Sequence, residues 1–268
     1  MAPSTSRDAT YVLDEILDNE TELPIAEHAT DTAGYTEMLF ALFDLLGLQF
    51  APRIRDLGEQ HLYRMDRTKT YRHIEPLLKG TINQELILSA WDDLIRVAGS
   101  LKRGWVTSSL FISRLQARPR QNALARALQE YGRLVKTNFI LRYLLSEDYR
   151  RRINTQLNKG EALHALRLFL FFANQGLLRQ HQPEDQANQA SCLTLVTNAV
   201  MAWNMVYMTD AIANLRAKGY AVTDSDLVHL SPALYAHINR YGKYHFEAMS
   251  SLDQLPRRPL RQPSVLKA

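Results

Sequence analysis

A chain of 268 residues that is 46% hydrophobic and 22% charged can build one large or two small cores, which excludes a disordered or fibrous class. A net charge of +4 and a pI of about 9.1 are only mildly basic. Cys192 is the single cysteine, which excludes an intrachain disulfide and a cysteine-based zinc site and fits a reducing, cytosolic compartment.

Charge is unevenly spread. Residues 1–37 hold nine acids against Arg7 alone, whereas residues 96–152 hold thirteen Arg and Lys against Glu130, Glu147 and Asp148. An arginine-rich segment of this kind either follows a polyanion or forms a solvated helical face, and composition leaves both open. The N-terminus carries no apolar signal core. The longest apolar run, Leu193 to Met208, is interrupted by Thr194, Thr197, Asn198 and Asn204. It is too short and too polar for a membrane span and reads as a buried helix.

In chain order, residues 7–19 read as a helix with Tyr11, Val12, Ile16 and Leu17 on one side. Pro24 breaks it, and Ile25 to Asp31 alternates as a strand that ends at Asp31. Thr32-Ala33-Gly34 is a turn signal. Thr36 caps a helix that runs to Gly47, and Leu48 to Ile54 reads as a strand with Pro52 at an edge. From about residue 75 the period is helical, with helices expected at 83–98, 105–116, 119–144, 146–174 and 188–218. Breaks fall at Arg118-Pro119-Arg120 and Gln182-Pro183-Glu184, and Pro232 is expected to start a short helix. Residues 251–268, with three prolines and four cations, read as a disordered tail.

Most catalytic signals are missing. Gly58 and Gly80 lack the strand–turn–helix context of a phosphate loop, the histidines are scattered, and no nucleophile elbow occurs. Trp91, Trp105 and Trp203 sit in apolar patterns, so core packing is expected of them rather than base stacking. What remains is acids. Asp31 stands at a strand's C-terminal end, where α/β sheets place ligand-binding residues. Glu161 stands on a helix in line with Ile153 and Leu157, beside a polar line of Asn154 and Asn158. Gly160 next to it would let another group approach the backbone. Two carboxylates brought together can hold a hard divalent cation, but a lone helix acid is also an ordinary ion-pair partner, and spacing alone does not decide.

Several long motifs resemble one family. They are Arg7 to Asp14, Thr30-Asp31-Thr32-Ala33-Gly34-Tyr35-Thr36-Glu37, Phe40 to Gly47, Phe50 to Gly58, Leu157-Asn158-Lys159-Gly160-Glu161, Leu230-Ser231-Pro232 and His237 to Gly242. In this order, across residues 7 to 247, the chain resembles the C-terminal part of Tn3-family transposases. The resemblance implies an α+β, predominantly helical fold: an incomplete RNase H-like core with a large helical insertion. It implies a partial core over 1–59, the insertion over 60–145, a catalytic-Glu helix with C-terminal helices over 146–250, and the tail over 251–268.

The resemblance also implies metal-dependent cleavage and joining of DNA strands in replicative transposition, with Mg²⁺ or Mn²⁺ held by two Asp and one Glu. The family's second Asp maps to Asp31 and its Glu to Glu161. Its first Asp lies upstream of the segment matching Arg7, and Asp8 and Asp14 belong to the helix before the Asp31 strand. The expectation is therefore a span with two of three catalytic acids, lacking the first three core strands and inactive alone, with weak metal binding and an exposed sheet edge. The expected partners are transposon-end and target DNA, with Arg53, Arg55, Arg114, Arg118, Arg120, Arg126, Arg151, Arg152 and Lys159 as phosphate contacts, and a homo-oligomer or a mixed oligomer with full-length transposase. No membrane is expected. The alternative is a non-catalytic DNA-binding or regulatory helical fragment, and a third is a decayed gene product that folds poorly.

Overall fold

The computed structural model describes residues 8–19, 21–22, 24–31, 35–117, 122–179 and 182–243. The chain divides into two compact units, Met1–Asn158 and Lys159–Ala268.

The first unit opens with α1 (Asp8–Leu17), β1 (Glu27–Thr30), α2 (Glu37–Leu45) and β2 (Gln49–Pro52). Local chemistry accounts for the boundaries of α2. The Thr36 hydroxyl accepts from the Leu39 N–H at 3.4 Å, and Gly47 leaves the helix at φ 77°, which a glycine adopts at no steric cost. Between those caps the sequence is apolar on every side, and Met38, Leu39, Phe40, Ala41, Leu42 and Phe43 are all buried. Each large side chain fully buried there contributes about 1.5–3 kcal/mol. β1 and β2 pair in parallel in the register Glu27↔Gln49 to Thr30↔Pro52. A second parallel pair follows, β3 (Leu62–Arg64) with β4 (Leu78–Thr81).

Helices α3 (Gln84–Ser89), α4 (Trp91–Lys102), α5 (Ser108–Ala117) and α6 (Ala123–Leu145) complete the unit, with the first half of α7 (Glu147–Leu170). Asp14 of α1 caps α5 from outside: its Oδ1 accepts from the Ser108 hydroxyl at 2.6 Å and its Oδ2 from the Ser109 N–H at 3.2 Å. That carboxylate satisfies backbone donors a helix start leaves open. α6 lies against α2 so closely that a Cβ added to Gly132 would sit 1.7 Å from the Glu37 carbonyl oxygen. Phe40, Phe43, Phe50 and Phe139 pack at this contact, with ring centroids 4.7 to 5.4 Å apart.

The second unit holds the remainder of α7, α8 (Pro183–Ala217) and the short α9 (Asp224–Leu227). The Thr223 hydroxyl and the Asp226 carboxylate cap each other's backbone N–H groups at the start of α9.

The architecture is mostly helical α+β, and several sequence expectations change in detail. β3 and β4 fall where helix or no element was expected. The helix expected at 83–98 is broken at Ala90 into α3 and α4, α7 stops at Leu170, and α8 begins at Pro183, which takes an N-terminal position where its missing N–H costs nothing. Pro232 sits in a turn, with no helix after it among the described residues. Trp91, Trp105 and Trp203 are exposed, and Trp105 carries the Arg103 guanidinium 5.1 Å above its ring instead of entering the core. His28 stacks on Phe43 and Phe50, and burial lowers its pKa. The expected buried helix at Leu193–Met208 buries only Thr197 and Asn204. The Thr32–Gly34 turn, the Arg118–Arg120 break and the 251–268 tail lie outside the described residues.

The Gly132 contact makes a test of the core. Gly132→Ala is expected to lower unfolding free energy by about 3 kcal/mol or more. Gly160→Ala, where nothing lies within 4 Å, should raise it by up to about 1 kcal/mol through helix propensity. Urea denaturation of both variants checks the contrast.

Candidate active site

Asp31 stands one residue beyond Thr30, the last paired position of β1, and Arg53 one residue beyond Pro52 of β2. The parallel register therefore puts positions 31 and 53 side by side at the strands' C-terminal end. The Arg53 N–H donates to the Thr30 carbonyl at 2.8 Å, which extends the ladder by one rung. Its Nη2 then donates to Asp31 Oδ1 at 2.8 Å. The Asp31 side chain is 65% exposed and that of Arg53 38%, so the pair contributes at most about 1 kcal/mol to stability. Asp31 is thus a solvent-facing carboxylate with a cation beside it, and Arg53, expected to meet phosphate, is turned to the acid.

Glu161 lies in the second unit, on α7. Along that helix Ile153 is buried and Leu157 half-buried, but Asn158, Lys159, Gly160, Glu161 and His164 are exposed. The apolar stripe gives way to a solvated face, and Glu161 presents its carboxylate there. A Cβ at Gly160 would meet nothing of this chain within 4 Å, so the backbone there is open to approach.

The other cations behave in different ways. Arg151 pairs with Glu147 one turn away at 2.7 Å on the helix surface. Arg152 bonds Glu27 Oε2 at 3.0 Å and lies 5.0 Å over the Tyr149 ring. Glu27 begins β1, at the end of the strand opposite Asp31. Arg55, Arg114 and Arg126 are exposed, as is Lys159, while Arg118 and Arg120 lie outside the described residues.

Tyr149 had no sequence signal, yet it ties three elements together. Gln49 Nε2 of β2 donates to its hydroxyl, which also hydrogen-bonds Glu27 of β1, and Arg142 stacks on its ring at 5.2 Å. Burial, with the Glu27 charge second, pushes its pKa up to about 12. Only a sequence distance of 100 residues between Gln49 and Tyr149, invisible to periodicity, separates this node from detection.

These features have known relatives. The Tn3 transposase DDE domain family matches residues 1–244. The chain belongs to that family. It is 46% identical over 255 residues to the transposase for transposon Tn21 of Escherichia coli, covering 95% of this chain and 26% of that protein. The figures for the transposase of Tn501 of Pseudomonas aeruginosa are 47% over 257 residues, 96% and 26%. For the transposase of transposon gamma-delta of Escherichia coli K12 they are 41% over 246 residues, 92% and 25%. The chain spans about a quarter of the length of the curated relatives it matches.

DDE domains generally use divalent metal ions. Carboxylate oxygens such as those of Asp31 and Glu161 are the right donors for a hard cation. Among the described residues, however, no three of His, Cys, Asp and Glu stand together as a ligand set. No helix among them is long and apolar enough to cross a membrane.

The Tyr149 node carries a pH dependence. A folded-state pKa raised from about 10 to about 12 means a stabilisation fully present below pH 10 and lost as pH rises towards 12. Thermal melts of the native protein should therefore fall more steeply between those pH values than melts of Tyr149→Phe, which has no phenol to ionise.

Proposed function

We propose that this chain is the C-terminal part of a Tn3-like transposase catalytic domain, in which Asp31 and Glu161 are two of the carboxylates that hold Mg²⁺ or Mn²⁺ for DNA strand cleavage and joining. The observation that carries this reading is the exposed Asp31 carboxylate at the C-terminal end of β1, in a chain of the Tn3 transposase DDE family. Bound there, a divalent ion would polarise a phosphodiester and activate the attacking oxygen. Asp31 and Glu161 would supply its oxygen ligands, Arg53 would balance the Asp31 charge in the ion's absence, and Lys159 stands close in sequence for a phosphate.

The sheet supports an RNase H-like core that continues beyond these strands. Gln49 and Arg53 turn their N–H groups to β1, so Phe50 and position 52 face the other edge of β2. Pro52 has no N–H to offer there, which blunts that edge. The far edge of β1 has no such block, and among the described residues no further strand pairs with it. On this reading the 268 residues hold two of three catalytic acids and do not perform strand transfer unaided.

The purified chain, incubated with transposon-end DNA and Mg²⁺, is expected to yield no joined product. Metal-dependent joining that disappears in Glu161→Gln would overturn the inactivity. Mn²⁺ binding followed by electron paramagnetic resonance should be weak, on the order of millimolar, several-fold weaker in Asp31→Asn, and stronger in Arg53→Ala, where the carboxylate loses its competitor. Equal binding in all three would remove Asp31 from the site.

A second reading, DNA binding without catalysis, is favoured by the exposure of Arg55, Arg114 and Arg126. It predicts affinity that falls steeply with salt and ignores Mg²⁺. Replacing Arg114, Arg118, Arg120 and Arg126 by Gln should weaken binding to any duplex and flatten the log–log salt slope by about 3 to 4. Unchanged affinity would make the segment a solvated face.

A further inference from the structure

α8 is a 35-residue helix that buries two polar side chains, Thr197 and Asn204, and shows apolar ones to water. Asn204 explains the buried side: its Nδ2 donates to the carbonyls of Pro232 and Leu234, both at 2.7 Å, within the second unit. On the opposite side Leu195, Ala199, Ala202 and Val206 recur at spacings of four, three and four, and all are exposed, Leu195 at 71% and Val206 at 50%. The same repeat extends outward to Cys192 and Thr209, and then to Asp185 and Arg216, again exposed. Between Asp185 and Asp210 the helix has no charged residue at all. A solvated face is not built this way; a seven-residue repeat with apolar first and fourth positions is the pattern of a helix that meets another helix.

The repeat reads the same in both directions. About a centre between Val200 and Met201, Leu195 mirrors Val206, Ala199 mirrors Ala202, Cys192 mirrors Thr209, and Asp185 mirrors Arg216. We propose that α8 is the interface of an antiparallel homodimer, its apolar stripe covered by α8 of a second copy of this chain. Two-fold symmetry then stacks Leu195 on Val206 of the second copy and places Ala199 against Ala202, where small side chains let the backbones close. Val196 and Trp203, exposed on one flank, meet Trp203 and Val196 of the second copy. Asp185 faces Arg216 at both ends.

Arg216 is already oriented: its Nε donates to the Val222 carbonyl at 3.0 Å and its Nη2 to Asp224 at 2.8 Å, which leaves Nη1 for a further carboxylate. A parallel pairing would set Asp185 on Asp185 and Arg216 on Arg216, and the antiparallel one also opposes the two helix dipoles. At about 1.5 Å per residue the seam is roughly 50 Å long. This inference does not depend on the catalytic reading of Asp31 and Glu161.

Light scattering on the eluting chain over a wide dilution series is expected to give the mass of a dimer. The double variant Ala199→Glu with Ala202→Glu should be monomeric, with an unchanged far-ultraviolet circular dichroism spectrum, because both side chains are exposed in the single chain. Thr209→Cys sets a second thiol opposite Cys192 of the other copy and should form a disulfide-linked dimer under mild oxidation. The unaltered chain should not, since its two Cys192 thiols would lie about 26 Å apart along the seam. A monomer at every concentration, as when another protein segment covers the stripe, overturns the proposal. So does a dimer that survives the double variant, or equally efficient cross-linking of the unaltered chain through Cys192, which would make the pairing parallel.

Discussion

The first unit depends on how closely α2 and α6 approach. At Gly132 there is no room for a methyl group before the Glu37 carbonyl. That contact carries no large side chain of its own. Its effect is to bring the Phe40 and Phe139 rings within 5.4 Å of each other, from where Phe40 reaches Phe50 on β2 at 5.1 Å. Close-packed interiors transmit such constraints because they have no slack to absorb them. The placement of β2, and through its register that of β1, follows from one absent side chain on a helix eighty residues further along.

That register in turn builds the two ends of the sheet differently. At the C-terminal end the ladder stops at Arg53 and leaves Asp31 exposed to solvent, paired with the Arg53 guanidinium. At the N-terminal end Glu27 and Gln49 are drawn into a node with Tyr149, Arg142 and Arg152. One end is tied into a network of side chains and the other keeps a carboxylate exposed to solvent. Arg152 thus anchors α7 to the sheet, and Arg53 balances a carboxylate, although both had been expected at phosphates.

Much of the first sixty residues is legible from sequence. The Thr36 cap, the apolar run behind it, the Gly47 stop and the strand that stops just before Asp31 are local signals, each written within a few residues. The same reading fails where local pattern is weak. β3 and β4 are three and four residues long and pair across a gap that periodicity does not sense. The tryptophans and α8 fail for another reason: an apolar pattern shows that a face is to be covered, and does not say whether by this chain.

By itself the sequence determined the order of most elements, the position of Asp31 at a strand's end and of Glu161 on a helix, and, through its long motifs, membership of the Tn3 transposase DDE family. Only the tertiary structure decided which cations are engaged, that Asp14 caps α5 and that Tyr149 joins β1, β2 and α7. It also decided that α8 turns Thr197 and Asn204 inward. The reason is range. Caps, turns and periodicity act over a few residues and survive in the linear text, whereas ion pairs, close approaches and burial depend on which distant segments meet, and that is set by packing.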